Sequence, residues 1–312
     1  MAAANDTRSF TRKVRDKVVH ELRKGRDSRE VKQSRALVGW LATAAPGLSF
    51  ALLDVGALGG LKDYGLADIR RMPGYRLVGI EPDAEEARRM MSDRATFGFD
   101  RVEPVAVAGT SGIRELHVTR LPGCSSLYPA RTDTTGPWSC GWYFEPDRTM
   151  QVKTVLLHDA IGADTFDFVK LDIQGCELEV IKASPEVFAA ATGVFVEVHF
   201  EELYEGEGLF PEIHTAMSAL GFRLIKLDEA SWFFDGVVAE ANCIYVKRPE
   251  SIASRDDLLR HLTVAALAHN AGYAELLLRR YAQSWLTDSE MTSVRAATGL
   301  RSRPEATPVL HA

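Results

Sequence analysis

A chain of 312 residues, 46% hydrophobic and 26% charged, has material for one elaborated α/β domain with helical additions, and its formal charge of -6 excludes nucleic acid as a global partner. Cys124, Cys140, Cys176 and Cys243 show neither C-x-x-C spacing nor a framework pattern, which excludes a zinc ribbon and a disulfide scaffold and fits a reducing cytoplasmic setting. No apolar signal core opens the chain, and the apolar stretch from Leu37 to Leu61 is broken by Pro46, Ser49 and Asp54, so no membrane span is expected.

Residues 1 to 40 hold eleven Lys or Arg against five Asp or Glu. The helical pattern from Phe10 to about Ala44, broken at Gly25, predicts a basic extension over 1–46: a solvated helix lying on the domain, or a surface for an acidic partner. The core follows over 47–250. Its predicted elements are a strand at Phe50 to Val55, a helix near Gly60 to Met72, a strand at Arg76 to Ile80, a helix at Ala84 to Arg94 and a third strand at Arg101 to Val107. Strands at Ile113 to Thr119 and Gln151 to Leu156 flank a stretch rich in Gly, Ser, Pro and Thr from Pro122 to Asp147. Connections longer than about 15 residues are usually functional or disordered, so a lid-like insertion is expected near 110–150.

Strands resume at Phe166 to Leu171, Gly193 to Phe200, Phe222 to Leu227 and Cys243 to Lys247, with helices at Cys176 to Ala191 and Phe210 to Leu220. The alternation describes a doubly wound parallel sheet. The last two strands lack room for a packed helix between them, which makes the final strand antiparallel. Over 251–312, amphipathic helices at Arg255 to His269 and Tyr273 to Trp285 precede a loose tail; they either cap the core or form a homodimer surface.

The segment Asp54-Val-Gly56-Ala-Leu-Gly59-Gly60 ends an apolar run in an acid and a glycine cluster, and Glu81 closes a second run 25 residues after Gly56. Glycines let the backbone turn tightly against a ligand, and a carboxylate ending the next strand accepts both hydroxyls of a ribose. The alternative is an ordinary strand-to-helix turn. A nicotinamide site calls for G-x-G-x-x-G, whereas this spacing, with Asp54 two residues before the first glycine, suits a ligand carrying an ammonium and a carboxylate, such as S-adenosylmethionine.

Asp167-Phe-Val-Lys170-Leu-Asp172-Ile-Gln-Gly175-Cys-Glu177-Leu-Glu179-Val-Ile-Lys182 resembles the signature of the FkbM family of S-adenosylmethionine-dependent methyltransferases. The glycine turn, Gly79-Ile-Glu81-Pro82, Cys124-Ser125-Ser126-Leu127, Val196-Glu197-Val198-His199 and Gly221-Phe222 resemble further motifs of that family, in order, over roughly residues 50 to 248. The resemblance implies a class I methyltransferase core, a Rossmann-like doubly wound seven-stranded sheet with its last strand antiparallel. It also implies O-methylation, and carried onto these motifs the cofactor residues are Asp54, Gly56, Ala57, Gly60, Glu81, Pro82 and Asp172. Leu58 stands where the family has Asn, and Gln174 where it has Glu.

A hydroxyl acceptor wants its proton removed, and His199 at a strand end is the leading base because its ordinary pKa lies near neutral. The alternative is a structural histidine capping the strand. Asp172 either assists the base, contacts the cofactor or caps the helix near Gly175. Glu197 shares a strand face with His199. Only Glu197, His199 and Asp172 converge in the sequence, fewer ligands than a hard divalent ion wants, so no metal is expected. Tyr128, Trp138, Trp142, Tyr143 and Phe144 form either an acceptor wall or a self-packed loop core; with Ser125 and Ser126, Tyr128 and Trp142 are the candidate substrate contacts. The expected acceptor is a small natural product or sugar hydroxyl. The rival functions are an NAD(P)-dependent oxidoreductase and a non-catalytic scaffold of the same fold.

Overall fold

A computed structural model describes residues 29 to 300, apart from Tyr64 and the side chains of Lys62 and Asp63. The predicted basic helix before Arg29, its break at Gly25 and the tail from Arg301 lie outside the described residues.

The strands are β1 (Ser49–Val55), β2 (Gly74–Ile80), β3 (Arg101–Glu103), β4 (Ala106–Val107), β5 (Gly112–Thr119), β6 (Pro146–Val155), β7 (Phe168–Leu171), β8 (Gly193–His199), β9 (Phe222–Glu229) and β10 (Glu240–Lys247). Seven form one sheet in the order β3-β2-β1-β7-β8-β10-β9. The first five are mutually parallel, and β10 runs antiparallel to both β8 and β9.

Alternation along β1 divides the core between the two faces. Phe50 and Leu52 pack on one side with the helices Arg29–Ala44, Arg255–Leu267 and Ala271–Arg280; Leu53 and Val55 pack on the other with Glu177–Ala183, Pro185–Ala190 and Phe210–Ala219. All four β1 side chains are fully buried, each worth about 1.5–3 kcal/mol relative to exposure. The terminal helices direct their apolar faces into this core, with Leu258, Leu259, Leu262 and Leu277 fully buried. They cap the sheet within the chain.

Several elements are shorter than their patterns predict, each for a local reason. The helix expected near Gly60 to Met72 is two 3₁₀ turns, Gly60–Asp63 and Gly65–Arg71. Gly59 and Gly60 have φ of +78° and +69°, outside helical geometry. The third strand divides at Pro104, so β3 stays in the main sheet while β4 pairs with β6. The Cys176 to Ala191 helix divides at Ser184, before Pro185. A further helix, Asp288–Thr298, goes beyond the two expected; its capping box of Thr287 and Glu290 and its left-handed Gly299 are legible signals for both ends.

The insertion is folded. β5 and β6 pair antiparallel in a three-stranded sheet with β4, and Tyr143, Phe144, Tyr204 and Phe234 form a separate small core with Tyr128, Trp138 and Trp142 against it.

Candidate active site

Parallel strands β1, β2, β7 and β8 end together at one edge of the sheet, where ligands bind in open α/β folds. There the turn after β1 crosses the turn after β7 at minimal separation. Gly56 has φ +78°, and a Cβ at that position would lie 1.8 Å from the Asp172 carbonyl oxygen, so only glycine fits. The N–H groups of Gly56 and Ala57 both donate to the Ile80 carbonyl, at 3.1 and 3.0 Å. The glycine turn is thereby tied to the end of β2, immediately before Glu81.

Lys170 joins the same two turns from below. Its buried ammonium lies 2.9 Å from Asp54 Oδ1 and 3.3 Å from Asp172 Oδ2, and donates to the Gly56 carbonyl at 3.2 Å. Burial alone would lower the Lys170 pKa, but the charges of Asp172 and Asp54 outweigh it and the pKa is raised. Asp54 is fully buried, and its pKa is raised by desolvation against the opposing pull of Lys170. The sequence reading aimed Asp54 at the ligand; the structure instead pairs it with Lys170, one residue back from the edge.

Glu81 follows β2 directly, is almost wholly buried and accepts the Asp83 N–H at 2.9 Å. Desolvation pushes its pKa up to about 7. After β7 the chain turns through Gln174, a non-glycine residue at φ 55°, and Gly175 at φ 99°. Glu177, rather than Asp172, caps this turn, accepting from the N–H groups of Ile173 at 2.7 Å and Gly175 at 2.9 Å. Asp172 is left facing the cavity. The Gln174 amide donates to Asp172 Oδ1 at 3.2 Å and to Glu197 Oε2, and Gln174 Oε1 accepts from the Tyr204 hydroxyl at 2.7 Å. A neutral residue here thus holds two carboxylates side by side.

Glu197 and His199 project from one face of β8, and β10 places Glu240 opposite His199. His199 Nδ1 is 2.5 Å from Glu207 Oε2, and Nε2 is 3.9 Å from Glu197 Oε2. Burial would lower the His199 pKa, but Glu207, Glu240 and Glu177 raise it to about 9. Glu197 is pushed well above the usual carboxylate range and Glu240 up to about 7, desolvation leading in both. Sequence reasoning missed Lys170, Glu207 and Glu240. Lys170 stands inside the Asp167 to Lys182 signature, but no local pattern marks Glu207 or Glu240.

These elements wall a cavity of about 1340 Å³. Single-ligand pockets span roughly 300–1,000 Å³, so this one has room for two molecules. Gly56, Glu81, Pro82, Asp172, Ser125, Ser126, Glu197 and Glu240 line it, with Leu116, Val118, Met150 and Val152 of the small sheet. The insertion therefore supplies a wall. Asp54, Ala57, Gly60, His199, Tyr128 and Trp142 are not on the cavity wall. Ala57 is buried in the main core, and Gly60 packs toward Phe97. Tyr128 and Trp142 join the small aromatic core, as the self-packed reading of that cluster has it. His199 lies behind Glu197, only 2% exposed. Ser126 Oγ is engaged with the Gln174 carbonyl. Leu58, 44% exposed, lies on the wall.

A family model described as the methyltransferase FkbM domain matches residues 54–224, from Asp54 of β1 into β9. The chain belongs to the FkbM methyltransferase family. This FkbM methyltransferase is 25% identical over 183 residues to the 2-O-methyltransferase NoeI of Sinorhizobium fredii (strain NBRC 101917 / NGR234), a match covering 57% of its own chain and 73% of NoeI. Among solved structures it is similar to magnesium protoporphyrin IX methyltransferase from Synechocystis PCC 6803 with bound S-adenosylmethionine: 11% identity, 70% of this chain, 80% of that one, TM-score 0.35. It is also similar to a putative tRNA (m1A22) methyltransferase of Streptococcus pneumoniae: 9% identity, 83% and 94% coverage, TM-score 0.36. The FkbM methyltransferase has the class I seven-stranded sheet and is an S-adenosylmethionine-dependent enzyme. Among the described residues no helix is long and apolar enough to cross a membrane.

Proposed function

We propose that this methyltransferase moves a methyl group from S-adenosylmethionine to a hydroxyl of a small natural product or sugar. The observation that carries the reading is one cavity joining a ribose-type edge, Gly56, Glu81 and Pro82, to an acidic floor, Asp172, Glu197 and Glu240. The ribose hydroxyls fall to Glu81 when it is ionised, and Gly56 lets the cofactor approach the backbone. The S–CH₃ bond breaks as the acceptor oxygen forms its bond to carbon in line, and the hydroxyl proton passes to a floor carboxylate, leaving S-adenosylhomocysteine and the methyl ether.

Asp172, Glu197 and Glu240 line the cavity and are the carboxylates open to an acceptor in it. His199 serves from behind Glu197, as a charge and proton partner. Ser125 and the small sheet form the acceptor wall. The description of NoeI as a 2-O-methyltransferase favours oxygen as the nucleophile.

The test is release of S-adenosylhomocysteine on incubation with S-adenosylmethionine and panels of hydroxylated sugars, polyols and macrolide-type acceptors, with the product examined for an O-methyl group. An N-methyl or C-methyl product, or no turnover on any hydroxyl acceptor although the cofactor binds, overturns the reading.

A further inference from the structure

The acidic floor holds a feature that methyl transfer by itself does not use. Because β8 and β10 are antiparallel neighbours, Glu240 stands opposite His199 and Asn242 opposite Glu197. Directly opposite residues share a face, as do residues two apart. The four polar side chains therefore make a two-by-two array at the sheet edge, which Glu197, Glu240 and Asn242 expose to the cavity.

One ligand atom from each of Glu197, His199 and Glu240 falls within 4.8 Å of the others. His199 is the decisive member. Its Nδ1 is committed to Glu207, a buried carboxylate held in turn by the Leu203 and Tyr204 N–H groups at 2.5 and 3.0 Å. With Nδ1 fixed, Nε2 points toward Glu197, buried and without a hydrogen-bond partner. Asn242 Oδ1 is likewise buried without a partner. Buried polar atoms are overwhelmingly satisfied in folded proteins, so two orphans in one array call for a missing partner. A carboxylate anchoring one imidazole nitrogen while the other is held toward further carboxylates is the arrangement that orients metal-ligating histidines. The charges agree: Glu197, Glu207 and Glu240 crowd around a single imidazole, while Lys170 is bound to Asp54 and Asp172 and the Gln174 amide donates to Glu197 Oε2.

We propose that Glu197, His199 and Glu240 form a site for a first-row divalent cation of the Mn²⁺ or Zn²⁺ type, opening on the acceptor end of the cavity. A mixed imidazole and carboxylate donor set suits such ions better than Mg²⁺ or Ca²⁺. Ligand distances of about 2.0–2.2 Å require ligand atoms roughly 3–4 Å apart, so closure is a matter of side-chain rotation. The cation neutralises the floor and offers a position for an acceptor oxygen. That role rests on the function proposed above; the site does not.

Its test needs neither methyl donor nor acceptor. The full chain, stripped with chelator, is titrated with Mn²⁺ alone by electron paramagnetic resonance and with Zn²⁺ alone by calorimetry. One saturable equivalent per chain is expected, weakened at least about 10-fold in Glu240→Gln and His199→Gln and about 10- to 100-fold in Glu207→Gln, the effect usual for a carboxylate behind a metal-bound imidazole. Circular dichroism checks each fold, and Glu240→Gln, on the cavity wall, decides the matter should the buried His199 variant not fold. Absence of saturable binding by the wild type, or wild-type affinity in a folded Glu240→Gln chain, overturns the site. Metal binding without methyl transfer to any hydroxyl would overturn the function proposed above and leave this site standing.

Discussion

The Lys170 ammonium lies 2.9 Å from Asp54 Oδ1 with both side chains essentially sealed from solvent. The pair fastens the end of β7 to the end of β1, and through the Gly56 carbonyl and Asp172 it holds both turns of the cofactor edge. Removing one partner of such a pair strands a buried charge, at about 3–5 kcal/mol, whereas removing both is far less costly. Lys170→Met should therefore lose about 3 kcal/mol or more in urea unfolding, and Lys170→Met with Asp54→Asn should lose less than the single variant. A single variant as stable as wild type would mean that the ammonium is not what holds the two turns.

The crossing at Gly56 gives a sharper expectation. Its Cβ-free backbone lies against the Asp172 carbonyl, and its positive φ is itself strained for any other residue. Gly56→Ala should bind S-adenosylhomocysteine at least about 10-fold more weakly by calorimetry and unfold at lower temperature. Gly59→Ala, which shares the positive φ but has nothing within 4 Å of the added carbon, should cost less on both counts.

Glu81 ties cofactor affinity to pH. Burial raises its pKa from 4.5 to about 7. A neutral carboxyl can accept fewer ribose hydrogen bonds, so S-adenosylhomocysteine affinity should fall as pH drops through about 7, and Glu81→Gln should flatten that dependence. For stability the sign is opposite. The folded state holds this proton more tightly than the unfolded chain, so the stabilisation is complete below about pH 4.5 and is lost as pH rises through about 7. In the absence of cofactor, the melting temperature of wild type relative to Glu81→Gln should decline across that window.

Gln174 donates to both Asp172 and Glu197. In Gln174→Glu an ionised side chain loses both donors and adds a third carboxylate, while a protonated one keeps a single donor. An unsatisfied or repelled buried group costs about 1–3 kcal/mol. The deficit in melting temperature should be larger at pH 8 than at pH 5; equal deficits would mean that the amide does not bridge the carboxylates.

The fold was largely legible because local pattern and tertiary environment agree in parallel strands buried on both faces. The runs ending in Asp54 and Glu81 became β1 and β2, and the short polar gap after Leu227 became the turn into antiparallel β10. The failures were of continuity: the Gly59-Gly60 turn, Pro104 and Pro185 each ended an element that apolar periodicity alone would extend.

By itself the sequence determined the succession of strands and helices, the glycine turn and the acids at strand ends, because these depend on residues near one another in the chain. Only the tertiary structure decided what those acids face. Asp54 turned from the ligand to Lys170, His199 retired behind Glu197 onto Glu207, and the aromatic residues packed on each other. Glu240 reached the floor from β10, 41 residues beyond His199, because antiparallel pairing sets distant residues opposite one another and no local spacing records which residue that will be.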